Sequence, residues 1–325
     1  MSGMHGFDPK WKDLPHYILG ITKEIWEDRG IATLHRYYAA TLPVRSPAAL
    51  VIGSQNVIAA TMATLAEFPD RTLLGEDVIW CGDAASGFLS SHRILSQATH
   101  TRDGVYGKAT GKALAYRIIA DCACKNNQIH DEWLIRDQGA IVRQMGWEPN
   151  AYAADLIARE GGPQACVRPF TPEIDVDGGY RGTGNGDPLG ARYAEVLTRI
   201  MQADMAAIPA CYDRAAQLDL PGGVTGHGIA AADRFWMGLR AAFPNAAFVL
   251  HHAIGRSDPD FSPRAALRWS LTGKHEGWGA FGRPSGAQVH VMGISHAEFG
   301  PWGLRREYVL YDECAIWKQI VMQTG

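Results

Sequence analysis

Several residues able to do proton chemistry stand in unusual surroundings in this chain. His92 lies in the run Ser90-Ser91-His92-Arg93, inside an otherwise apolar stretch. On a strand, Ser90 and His92 share one face, and Ser91 and Arg93 share the other. Whichever pair enters a pocket can orient a carbonyl or hold an enolate oxygen. The alternative is a solvated outer face. Asp121 sits between Ile118-Ile119-Ala120 and Cys122-Ala123-Cys124. A carboxylate there must pair, accept hydrogen bonds or be protonated, and Arg117 on the same face is a candidate partner. Further on, Asp131, Trp133, Ile135 and Asp137 share one face of a strand, and Glu132, Leu134 and Arg136 the other. The first set reads as the wall of a cavity: acidic, aromatic and aliphatic. Asp137 is also well placed to cap the helical tail from Gln138 to Met145. His100 and His275 stand where a strand runs into a turn, a position that suits a structural hydrogen bond. His251, His252, His275, His290 and His296 crowd the second half, but no HxH or HExxH spacing joins them, so no metal site is expected.

These residues sit in an internal repeat. At an offset of 175, Phe68-Pro69 falls on Phe243-Pro244, Gly53 on Gly228, Arg93 on Arg268 and His100 on His275. Tyr106-Gly107-Lys108 falls on Phe281-Gly282-Arg283, and Glu132-Trp133 on Glu307-Tyr308. Asp137 and Gln144 fall on Asp312 and Gln319, and Asp121 on His296. Each copy begins with helical periodicity: Tyr17, Ile18, Ile21 and Ile25, then Ala194, Leu197, Ile200 and Met201. A short polar helix is expected over Gly30 to Tyr38, with Asp204 to Ala216 as its counterpart. A third runs from Gln55 to Glu67 and from Ile229 to Ala242, stopped by Pro69 and Pro244. Strands follow over Leu73–Trp80, Phe88–Thr99, Leu114–Cys124 and Ile129–Arg136. Helices followed by a meander indicate an α+β unit.

The length, 325 residues, fits about two domains. The expected division is a first domain over 1–148, a connector over 149–190 and a second domain over 191–325. The Gly-rich part of the connector follows no strand and has the wrong spacing for a dinucleotide loop. A net charge of −3 argues against binding nucleic acid through general phosphate attraction. No apolar run reaches spanning length and no leader segment is evident, so no membrane role and a cytoplasmic location are expected. None of the six cysteines forms a CxxC, consistent with small buried hydrophobes in a reducing compartment.

Glu76-Asp77 before the Gly82-Asp83 turn, Thr99-His100 before a Gly-basic-x-hydroxyl-Gly stretch, and Glu132-Trp133 running to Asp137 form a pattern. So do Arg268 to His275, Gly293-Ile294-Ser295 and Glu307-Tyr308 through Asp312. Each copy resembles the SnoaL-like polyketide cyclase family of the nuclear-transport-factor-2-like superfamily. The resemblance implies a tandem duplication of a cone-shaped α+β barrel, a curved antiparallel sheet packed on three helices with an apolar cavity. It also implies aldol-type ring closure without metal or cofactor, with one carboxylate on the last strand as acid/base. By register that carboxylate is Asp137, and Asp312 in the second copy. Burial would raise its pKa and strengthen it as a base.

The leading expectation is therefore a cofactor-free enzyme that moves a proton on a small apolar or aromatic carbonyl compound by cyclisation, isomerisation or a lyase step. Asp137 is the expected base, with His92 and Asp121 as polar orienters. Trp133, Arg93, Tyr38, Trp80, Tyr106 and His100 are candidate lining residues. Asp312, His296, Tyr308 and His275 are their second-copy counterparts. The rival readings are a non-catalytic small-molecule binding protein and a structural pseudo-dimer, with the two copies, or two chains, packed together.

Overall fold

The computed structural model describes residues 3–325. Two compact units divide it. One holds the chain to Arg136 together with Ala140–Trp147 and Phe170–Gly182. The other holds Asp137–Gly139, Glu148–Pro169 and Thr183–Gly325. The segment between the copies is thus shared between the two.

In the first unit α1 (Leu14–Thr22) begins where Asp13 accepts the His16 N–H, with Pro15 in the first turn. α2 (Leu34–Tyr37) follows. A hairpin, β1 (Pro43–Ser46) and β2 (Ala49–Ile52), leads into α3 (Ser54–Glu67). Then come β3 (Thr72–Asp83), β4 (Gly87–Thr99), β5 (Ala113–Lys125), β6 (Gln128–Arg136) and α4 (Gln138–Met145). The sheet order is β2-β1-β6-β5-β4-β3. β3 to β6 form the expected antiparallel meander, while β1 joins β6 in parallel.

After α5 (Pro149–Arg159), the second unit repeats this plan with α6 (Pro188–Met201), α7 (Ala207–Cys211), β7 (Tyr212–Leu220), β8 (Val224–His227) and α8 (Ile229–Ala242). It closes with β9 (Ala247–Arg256), β10 (Arg264–Lys274), β11 (Gln288–Gly300), β12 (Gly303–Leu310) and α9 (Glu313–Thr324). Its order, β8-β7-β12-β11-β10-β9, matches the first sheet strand for strand. One expectation fails here. The sequence predicts a helix over Asp204–Ala216, but the helix ends at Cys211 and Tyr212 starts β7. Parallel pairing with β12 overrides the helical propensity of this Ala-rich stretch.

Matched residues of the repeat turn out to have matched jobs. Gly53 and Gly228 enter α3 and α8 at φ 86° and 75°, a region costly for a side chain. Gln144 bonds both the N–H and the carbonyl of Ala115 on β5. Gln319 does the same to His290 on β11. Each unit has its own apolar core beneath the sheet. Among the described residues no helix is long and apolar enough to cross a membrane.

Candidate functional site

The inner face of the first sheet can be read from its register. Trp80 pairs with Ser90, Ser90 with Cys122, and Cys122 with Glu132, a continuous row across four strands. The adjacent row is Val78, His92, Ala120 and Leu134. Ala120, Cys122, Cys124 and Phe88 pack in the core with Tyr17 and Tyr37, and Tyr38, Trp80 and Leu134 border it. These rows therefore face inward. His92 and Ser90 enter the core, while Ser91 and Arg93 do not.

The carboxylate in this interior is Glu132. It is buried, and the Tyr38 side chain stands close to it. Burial pushes its pKa up to about 7, only partly offset by the tyrosine. Burial, and after it Glu132, likewise hold the thiols of Cys122 and Cys124 above their ordinary range. His92 lies 3.2 Å from Ser90 Oγ through Nδ1, and burial lowers its pKa to about 4. At neutral pH the imidazole is uncharged. Trp80 stands edge-on to Phe88, with centroids 5.6 Å apart. Tyr38, Trp80 and Leu134 are half-buried.

The face chosen for β6 from alternation is corrected by a β-bulge. Cys124 pairs with Ile129 but Ala123 with Asp131, leaving His130 as the extra residue. A bulge shifts the alternation by one. Ile129 and Glu132 therefore both point inward, and Asp131, Trp133 and Ile135 lie on the opposite face. Asp121 and Arg93 share that opposite face, both buried. The Arg117 guanidinium binds Glu76 at 2.9–3.1 Å, and Arg93 binds the same carboxylate at 2.9 Å.

Other expected lining residues lie elsewhere. His100 and Tyr106 cluster with Phe68 around the Glu67 carboxylate. Asp137, at the end of β6, accepts the N–H groups of Gly222 and Gly223 at 2.8 and 3.0 Å. Asp312 caps α9 through Ala315 N–H at 3.0 Å, and burial raises its pKa to about 7.

The second copy buries the matching glutamate, Glu307, far more tightly. Tyr193 and Tyr212 each donate to it at 2.8 Å, and Trp236 Nε1 at 3.3 Å. Burial raises its pKa to about 7. Trp269 bonds Ser295 at 2.9 Å and presses on Gly293, where an added Cβ would lie 2.2 Å from the ring. Leu267 and Ala265 stand where the first copy has His92 and Ser90. His296 and Tyr308 pair across β11 and β12, next to Glu307 in register but on the other face. His275 bonds Ser285 at 3.0 Å. His251 and His290 have their own hydroxyl partners, Ser270 and Thr272. No group of three metal-ligating side chains stands together among the described residues.

Tyr38 is among the residues expected from the sequence, whereas Glu132, Glu307, Tyr193 and Tyr212 are not. A signal existed. Glu132 and Glu307 recur at the repeat offset, and Tyr38 and Tyr212 recur one residue out of it.

No curated protein matches the chain in sequence. Among solved structures, a candidate SnoaL-like polyketide cyclase from Jannaschia sp. CCS1 is 17% identical, with a TM-score of 0.35, over 42% of this chain and 96% of that one. IdmH, a candidate polyketide cyclase from Streptomyces antibioticus, is 20% identical, with a TM-score of 0.36, over 40% and 96%. A SnoaL-like polyketide cyclase from Agrobacterium tumefaciens is 18% identical, with a TM-score of 0.33, over 41% and 98%. The SnoaL-like domain family matches residues 191–304. That stretch is similar to a SnoaL-like domain, and the first unit repeats its α+β plan with the same strand order.

Proposed function

We propose that the first copy is a cofactor-independent acid/base site acting on a small apolar or aromatic carbonyl compound, with Glu132 as the base. The observation that carries this is a carboxylate at about 7 in an apolar interior, beside Tyr38, with the Ser90–His92 pair two strands away on the same inner face. A proton alpha to a carbonyl needs a base whose pKa lies near the working pH, and an ordinary exposed carboxylate is too weak. In the proposed step Glu132 takes that proton and the C–H electrons move into an enolate. A neutral His92 N–H or a hydroxyl of Ser90 or Tyr38 meets the enolate oxygen. Return of the proton to another carbon gives isomerisation. Attack of the enolate on a second carbonyl of the same molecule gives aldol ring closure, the chemistry that the SnoaL-like resemblance implies. Asp137, engaged by two backbone amides, is replaced as base in this reading. Glu307 is enclosed by Tyr193, Tyr212, Trp236 and Trp269, which favours the first copy over the second.

The test is exchange of the C1 protons of 2-tetralone with D2O, followed by NMR. The wild-type chain should accelerate exchange, with a rate that rises with pH and levels near 7. Glu132→Gln should lower the enzymatic rate at least about 100-fold, and Glu307→Gln should leave it unchanged. Saturable binding without exchange, or equal exchange by Glu132→Gln, overturns the proposal.

A further inference from the structure

The parallel junction between the first hairpin and the last strand is built alike in both copies and finished differently. In the first, residues 175–180 lie flat on β6. Arg45 binds Asp175 at 2.5 Å and the Val176 carbonyl at 2.6 Å, and also the Asp131 carboxylate. The Tyr180 N–H donates to Asp131 at 3.0 Å. The approach is so close that only glycine fits. A Cβ on Gly178 would lie 1.8 Å from Asp131 Oδ2, and one on Gly179 2.7 Å from His130 Nδ1. The covering segment, Thr171-Pro-Glu-Ile-Asp-Val-Asp-Gly-Gly-Tyr180, is acidic and apolar in alternation.

At the repeat offset His130 and Asp131 become Arg305 and Arg306. Here the junction is an open groove of about 320 Å³, lined by Asp213, Ala215, Gln217, Trp302, Arg305 and Arg306. β7 carries extra residues against β12 at this point, since Leu304 pairs with Tyr212 and Arg306 with Gln217. Trp302 is 79% exposed at the groove's end. The described residues supply neither arginine with an ion-pair partner. The one lining carboxylate, Asp213, accepts the Ala215 N–H at 2.9 Å.

We propose that this groove binds an extended acidic segment of a partner protein, in the way that residues 175–180 cover the first copy. Carboxylates of the segment would meet Arg305 and Arg306. An apolar side chain would lie on Trp302, and glycine would permit close approach over the strand. The reading is independent of the acid/base site.

The test uses the full chain and a fluorescein-labelled peptide TPEIDVDGGY, read by fluorescence anisotropy. Saturable binding that weakens with added salt is expected. Arg305→Ala with Arg306→Ala should weaken it at least tenfold at an unchanged melting temperature, and Trp302→Ala several-fold. A peptide with Gln and Asn in place of Glu and Asp should also bind at least tenfold more weakly. Absence of binding, equal binding by the double variant, or equal binding of the neutral peptide overturns the proposal. Displacement by equimolar benzoate would make this a small-anion site and overturns it as well.

Discussion

Both copies bury a glutamate at the same point of the repeat, and they surround it with opposite materials. Around Glu307 the second copy places two tyrosine hydroxyls, an indole N–H and the rings of Trp236 and Trp269. At the positions of those two tryptophans the first copy has Thr61 and Ile94, and where Leu267 stands it has His92. Duplication allows this separation. One copy can fill its interior and act as framework, while the other keeps smaller and polar groups on the same inner face. A buried carboxylate is costly unless its hydrogen bonds are met or it takes a proton. The second copy meets the hydrogen bonds. The first leaves Glu132 with one tyrosine and half-buried neighbours.

The sharpest break of this comparison is a cavity made in each interior. Trp269→Ala removes a fully buried ring and strands Ser295, and should cost about 3–5 kcal/mol. Trp80→Ala on the inner face of the first copy should cost about 1–2 kcal/mol, because its ring is half-buried. Calorimetry of both variants checks this. Equal losses would mean the first interior is as closed as the second.

A smaller effect reads the second glutamate by pH. Glu307 has a folded pKa of about 7, above the ordinary carboxylate value, so the folded state holds a proton that the unfolded chain has released. Its stabilising contribution is complete below about 4.3 and is lost as pH rises through 7. Glu307→Gln removes that loss. Relative to wild type, the variant should gain up to about 3 kcal/mol between pH 4 and pH 8. His92 and His252, both lowered by burial, act in the opposite direction, so the wild-type-minus-variant difference is the quantity to measure. No change in that difference would mean Glu307 stays ionised in its hydrogen-bond cage.

Most of the framework was legible in the sequence because its signals are local and repeated. The Phe-Pro stops bound α3 and α8, and the meander strands fall where alternation and turn residues put them. What stayed hidden depends on long-range pairing. β1 and β2 are four residues each, too short for a period to show. The inward face of β6 depends on the bulge at His130, which no feature of Gln128–Arg136 announces. From Ile129 and Ile135 the odd positions look like core, and the extra residue moves Glu132 into that place. His92 could be found because three polar residues interrupt an apolar strand. Glu132 was hidden by the same alternation that exposed its neighbours.

The smallest test concerns the loop after the second strand of the meander, docked by different means in the two copies. In the first, the Glu67 carboxylate accepts the N–H groups of Val105 and Tyr106 at 3.0 Å and meets His100 Nε2 at 3.1 Å. In the second, Ala242 replaces the glutamate, and Ala280 N–H donates instead to the Gly238 carbonyl of α8 at 2.9 Å. His275 Nε2 then has no partner among the described residues, and burial lowers its pKa. Glu67→Ala should therefore cost the first copy about 2 kcal/mol, since two amides and a buried imidazole lose their acceptor together. Hydrogen exchange at Val105 and Tyr106 should speed up, while Ala280 stays protected. If Glu67→Ala leaves both exchange and melting temperature unchanged, helix backbone contacts suffice in the first copy too. The carboxylate would then be free of a structural role, and the two loops would differ in sequence alone.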